Sequence, residues 1–193
     1  MKRILKIISI FAIAILITAC AKPSAKSPES CVDEFLKSFK AGDLKTANEY
    51  LEYEIEGDAE TFDDVDMGAE EINKFFKNYL LDYDYKVLKS EGTDEKKVVN
   101  AKIKNYDFND LLSASITDLV SEALANPDID EEEIAHKMIE KMEEATKKSK
   151  KVETNVVFNV EKIDDKWVIT DSGSDLAEKI FGFDMDSLNS FDF

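Results

Sequence analysis

Apolar residues at Val32, Phe35, Leu36 and Phe39 follow i, i+3, i+4, i+7 spacing, which predicts a helix opening at a Ser30 cap. Ala41-Gly42-Asp43 stops it and caps a second helix that turns Leu44, Ala47, Tyr50 and Leu51 inward, so the pair predicts an αα-hairpin. The acidic stretch Glu52 to Gly68 has no clear period and reads as loop. A third helix follows, with Ile72, Phe75, Phe76, Tyr79 and Leu80 on one face.

Two stretches change to period two. Tyr83, Tyr85 and Val87 alternate with polar residues, a turn spans Gly92 to Glu95, and Val99, Ala101 and Ile103 return. Later Val152, Thr154, Val156, Phe158 and Val160 alternate, Asp164-Asp165-Lys166 turns the chain, and Trp167 and Ile169 come back beside them. Such alternation predicts a sheet with one buried and one wet face. Between the hairpins lie two helical stripes: Leu112, Ile116, Leu119, Val120 and Ala123, then Ile134, Met138, Met142 and Ala145. Asn126-Pro127 separates them, Asp130 with Glu133 predicts a capping box, and four lysines from Lys147 to Lys151 suit the helix C-terminus. Leu176, Ile180 and Phe181 predict a short last helix stopped by Gly182, followed by a tail at 182–193.

The first thirty residues follow another logic. Lys2, Arg3 and Lys6 precede an apolar run from Ile7 to Ile17 broken only by Ser9, too short for a membrane span of about 20 residues. Ile17-Thr18-Ala19-Cys20 resembles the bacterial lipobox: an aliphatic residue, two small ones, then cysteine. That resemblance implies a signal peptide over 1–19, cleavage between Ala19 and Cys20, and diacylglycerol on the Cys20 thiol. Two acyl chains suffice for stable anchoring, so the expected partner is membrane lipid. Residues 20–29 are expected as lipidated cysteine and tether, reaching at most ~30 Å at ~3.3 Å per residue. No Asp follows Cys20, so the inner-membrane retention signal of many Gram-negative lipoproteins is missing. The expected location is the extracytoplasmic face of the cell membrane. Arg3 is the only arginine among abundant Lys, Ile and Asn, the codon usage of AT-rich genomes, many of them Gram-positive.

Charge narrows the partners. The 193 residues carry −17, and loss of the three basic leader residues leaves −20. No basic face compensates, which argues against nucleic acid and against a domain lying flat on anionic lipid. A hydrophobic fraction of 44% with only three prolines and six glycines predicts one folded domain, expected over 30–181, with a helical insertion at about 109–150.

The order of elements predicts an α+β fold: a four-stranded antiparallel curved sheet against N-terminal helices. The segments VDEFLKSFKAGDLKTANEYL and VVFNVEKIDDKWVITDSG resemble small Gram-positive lipoproteins whose domain has no assigned function. Those belong to the nuclear-transport-factor-two-like, or cystatin-like, superfamily. The resemblance implies a cone in which the sheet wraps the first helices. It does not imply a chemistry, because that superfamily includes isomerases, dehydratases, binding modules and assembly domains.

Candidates for chemistry are few. Zinc needs three or four ligands, and the chain has one His and two Cys, so no metal or cofactor is expected. Cys31 reads as a buried small hydrophobe with no disulfide partner; a Cys31–His136 nucleophile pair is the reactive alternative to a surface His136. Asp63, Asp64, Asp66 and Gly68 gesture at a calcium loop, but no starting position fits the EF-hand order. Tyr79, Tyr83, Tyr85 and Tyr106 are the candidates for lining a pocket inside the cone, with Thr154 the polar residue on the best strand. The expectation is therefore a binding or structural module of the cell envelope with no catalytic residue, its small-molecule or protein ligand unknown. The alternative is an isomerase- or cyclase-like enzyme with a pocket in the cone.

Overall fold

A computed structural model describes residues 25–55, 59–64, 70–125 and 131–182. The fold is α+β: helices α1 (Pro28–Lys40), α2 (Leu44–Asn48) and α3 (Glu70–Phe75), strands β1 (Asp84–Gly92) and β2 (Lys96–Asn105), helices α4 (Phe108–Ala125) and α5 (Glu131–Lys148), strands β3 (Val152–Ile163) and β4 (Lys166–Ile169), and helix α6 (Gly173–Phe181). The four strands form one antiparallel sheet in the order β1-β2-β3-β4, curved and unclosed.

The cap of α1 lies three residues before the expected Ser30. Ser27 caps it in a reciprocal capping box with Ser30, and Pro28 sits in the first turn, where its missing N–H costs nothing. Ser27, Pro28 and Glu29, expected in the tether, thus open the first helix. Cys31, Val32, Phe35, Leu36 and Phe39 are buried against the sheet. Asp43 caps the single-turn α2 through the Thr46 N–H, which buries Leu44 and Ala47.

α3 passes into a π-helical turn at Phe76–Leu80, closed by the Leu81 N–H donating to the Phe76 carbonyl at 3.0 Å. The extra residue rotates the face enough to bury both Leu80 and Leu81. Phe62, expected in a solvated loop, is also buried, with its ring 5.2 Å from that of Phe39.

The first hairpin carries a bulge between Val87 and Ser90, unforeseen in the sequence. Beyond it Ser90, not an apolar residue, stands opposite Val99 on the core side. Glu29 fills the gap by accepting from the Ser90 amide at 3.1 Å and from its hydroxyl. That hydroxyl bond is the main cause that holds the Glu29 carboxyl below its ordinary range. The second hairpin turns on Asp164 and Asp165, both at positive φ (49° and 62°), the two-residue turn that matches strand twist.

The insertion between β2 and β3 is helical, as expected, but its buried face differs. Leu111 and Ser115 are buried on α4, while Leu112 and Ile116 are half-buried and Val120 is exposed. On α5 the buried residues are Ile139, Met142 and Thr146, with Met138 and Ala145 half-buried. The stripes have the right period, but α4 packs on α5 and α5 also packs on α3, which selects a face about one position over. Phe108 meets Phe76 there, with ring centres 6.4 Å apart. Lys147 and Lys148 lie in the last turn of α5, whereas Lys151 reaches the Asp82 carboxylate at 2.7 Å. Ser172 caps α6 with Asp175, and Gly182 ends it at φ 65°. The side chains of Ile72, Leu119, Ala123 and Ile134, the Asn126–Asp130 break and the 183–193 tail lie outside the described residues.

Candidate functional site

Period-two parity decides which strand residues reach the interior. Val99, Ala101 and Ile103 face inward on β2, and Val156, Phe158 and Val160 face them from β3. With Phe35, Phe39, Leu36, Tyr83 and Phe181 they fill the space under the sheet. Ring contacts link Phe35 to Phe158 and Phe39 to Phe181 at 6.5 and 5.9 Å.

The tyrosines expected near a pocket are mostly structural. Tyr83 is fully buried, and its hydroxyl donates to the Leu36 carbonyl at 2.6 Å. Burial pushes its ionisation far above the ordinary phenol range. Tyr85 is half-buried and donates to the Asp33 carbonyl at 3.3 Å, with burial again raising its ionisation. Tyr79 packs beside Phe75 with ring centres 5.2 Å apart, and Tyr106 lies under the Lys151 ammonium. Both strand-face hydroxyls therefore donate to main-chain carbonyls, not to carboxylates.

Cys31 is fully buried and its thiol points at the Trp167 carbonyl, 3.2 Å away. Desolvation pushes the thiol up to about 12. His136 is exposed on α5, 3.5 Å from Glu140, so the two are not brought together. Asp63 pairs with Lys77, and Asp64 accepts from the Thr61 amide and hydroxyl at 2.8 and 2.9 Å, which closes a turn. Asp66 and Gly68 lie outside the described residues, as do Ala19 and Cys20. Among the described residues, no three His, Cys, Asp or Glu side chains gather as a metal site, and no helix is long and apolar enough to cross a membrane. Trp167 has the inward parity of Ile169 but sits opposite Lys162 at the sheet margin and is only half-buried. Thr154 and Val152 share the inward parity of Phe158, yet both are exposed, because the helices cover less of that end of β3.

Two polar residues on inward parity were missed. Asn105 continues Val99, Ala101 and Ile103, and is buried. Its amide donates to the Leu80 and Ile180 carbonyls at 2.9 and 3.1 Å, and its oxygen accepts from the Tyr106 N–H at 2.9 Å. Asp171 continues Trp167 and Ile169, and its side chain is 2% exposed. Oδ1 accepts from Lys179 Nζ and from Asn159 Nδ2, both at 2.6 Å, and Oδ2 accepts from the Asn159 amide at 3.0 Å. Lys179 also lies over the Phe158 ring, 5.8 Å from its centre. Parity alone would have found both residues. Their carboxamide and carboxylate groups are fully engaged, tying the ends of β2 and β4 to α6.

Beside this cluster a shallow depression of about 40 Å³ opens between β3 and α6, lined by Thr154, Val152, Asn105, Lys179 and Gly182. A wider, open hollow of about 350 Å³ lies by Lys40, Gly42 and Lys77. Lys40 there donates to the Tyr83 carbonyl, and Lys77 is paired with Asp63.

The chain matches no described protein family and no curated protein. Among solved structures, a predicted lipoprotein of Bacillus subtilis, YcdA, is similar at 19% identity, over 84% of this chain and 48% of that one, with a TM-score of 0.44. This chain therefore spans about half the length of that protein.

Proposed function

We propose that this chain is a lipoprotein held by diacylglycerol on Cys20 to the outer face of a bacterial membrane, with a domain that binds or organises rather than catalyses. The observation that carries the anchoring is the ordered set of basic residues, apolar run and Ile17-Thr18-Ala19-Cys20. The element order and the sheet curved over α1 support a cone-like member of the nuclear-transport-factor-two-like superfamily. The binding or structural role is supported by the interior, which is occupied by Phe35, Phe39, Tyr83 and Phe158, and by the main-chain partners of the two inward tyrosines. The isomerase-like alternative rests on Asp171, a buried carboxylate paired with Lys179, which lines the β3–α6 depression. It requires Asp171 to release Lys179 and Asn159 before it can take a substrate proton.

Metabolic labelling with a fatty acid tests the anchoring. The wild type should incorporate label and run at the size of the chain cut before Cys20, and Cys20→Ala should do neither. A Cys20→Ala variant that is still cut and still sediments with membranes would overturn the reading.

A further inference from the structure

A helix that is apolar on more than one face needs a cover for each of them. α4 packs on α5, and Leu111 and Ser115 lie on its buried face. A second flank adjoins that face. At ~3.6 residues per turn, Asn109, Leu112, Ile116 and Val120 fall within an arc of about 80° beside it. Leu112 and Ile116 are half-buried there, and Val120 is 52% exposed. Phe108, one turn earlier, packs against the core, whereas among the described residues Leu112, Ile116 and Val120 do not join it. These three belong to the stripe that the sequence pattern turns inward, yet no described element closes over them.

The first residue of this flank holds the end of α6. Asn109 donates from Nδ2 to the Gly182 carbonyl at 2.7 Å. The Gly182 N–H serves the Glu178 carbonyl at 2.8 Å, and φ at Gly182 is 65°. A Cβ there would lie 3.4 Å from the carboxyl carbon of Asp107, just before α4. The chain therefore passes Gly182 at the foot of the uncovered flank. Residues 183–193 follow and read FDMDSLNSFDF. Phe183, Met185, Leu188, Phe191 and Phe193 are apolar, and every residue between them is Asp, Ser or Asn.

We propose that residues 183–193 of this chain dock along the Leu112–Ile116–Val120 flank, so that the tail straps α4 to α6. The point of attachment selects this occupant. Asn109 already ties Gly182 to the flank, so docking is intramolecular, at an effective concentration in the ~mM range that a second copy or a separate partner would have to exceed. The length also fits. Val120 lies about 16 Å along α4 from Asn109, at ~1.5 Å per residue, and residues 183–193 span that distance whether helical or extended. The apolar side chains of the tail then meet the apolar flank, and its aspartates and serines stay in water. Nothing in this contact involves the leader, so it stands apart from the Cys20 reading.

The test uses the full chain in detergent micelles. Leu188→Cys is combined with Ile116→Cys, and separately with Ala114→Cys on the opposite, exposed side of α4. Cys31 is buried and takes no part. A short bismaleimide, whose spacer tolerates a shift in register, should link 116 to 188 within one chain several-fold faster than 114 to 188. Peptide mapping identifies the link, and its rate should not change on dilution. Val120→Asp, added to the first pair, should slow it several-fold. A chain ending at Gly182 should bind several-fold more of an apolar dye than the full chain. Should that shortened chain melt early, the full-length pairs carry the test. Equal rates for the two pairs overturn the proposal. Links that form between chains in place of the internal one also overturn it, and would assign the flank to a second copy.

Discussion

Cys31 is a residue whose chemistry is set by where the fold puts it. An ordinary cysteine ionises near 9.0, whereas burial pushes this one up to about 12. Below pH 9 both folded and unfolded chains keep the proton, and the stability from burying the neutral thiol is fully present. Between pH 9 and about 12 only the unfolded chain ionises, so that stability is lost as pH rises, by ~1.4 kcal/mol per unit. Cys31→Val removes the titration and keeps the shape. Denaturant unfolding of the two proteins should therefore show the variant gaining on the wild type by ~1.4 kcal/mol for each unit above pH 9. The lysines and tyrosines that titrate in the same range are common to both and cancel. A difference that does not change with pH would mean that the thiol ionises freely in the fold. Trp167 makes the complementary point, because its inward parity is right while its place at the sheet margin leaves it half-buried.

At the level of elements, Asp171 joins three of them: the end of β4, the edge of β3 through Asn159, and α6 through Lys179. Removing one partner of a buried pair strands the other charge and typically costs ~3–5 kcal/mol. Lys179 is 21% exposed and regains some water, which favours the lower end of that range. Asp171→Ala should therefore lower the unfolding free energy by about 3 kcal/mol and expose the α6 amides first in hydrogen exchange. Adding Lys179→Met should recover part of the loss, since no charge is then left unpaired. A loss below ~1 kcal/mol would mean that solvent already screens the pair.

For the whole molecule, charge dominates. A chain at −17 repels itself when compact, while its ion pairs, such as Lys96–Glu161 at 2.7 Å, are largely exposed and individually worth little. Screening should then stabilise the fold. The melting temperature should rise as salt is taken from about 0.01 M, where the Debye length is ~30 Å, to about 0.15 M, where it is ~8 Å. A fall over that interval would show that the ion pairs outweigh the repulsion.

The sequence by itself determined what depends on short-range pattern. Helical and strand periods are local, so it was enough to place α1, both hairpins, the two insertion helices and the Gly182 stop. The residues Ile17 to Cys20, which resemble a lipobox, are likewise contiguous, and the acidic composition is read directly from the chain. Tertiary structure decided what depends on the far side of a contact. Whether Leu111 or Leu112 is buried on α4 depends on which elements that helix packs against. Whether Phe62 is solvated depends on Phe39. The Val87–Ser90 bulge is matched by Glu29, sixty-one residues before Ser90. The inward parity of Asn105 and Asp171 was legible, but the carbonyls, amide and ammonium that satisfy them arrive from α6, β3 and the π-helical turn after α3. The partners that Asn159 finds on the β3 edge, Thr170 and Asp171, were hidden for the same reason: a strand's pattern fixes its two faces, while its partners along each edge are chosen by the rest of the chain.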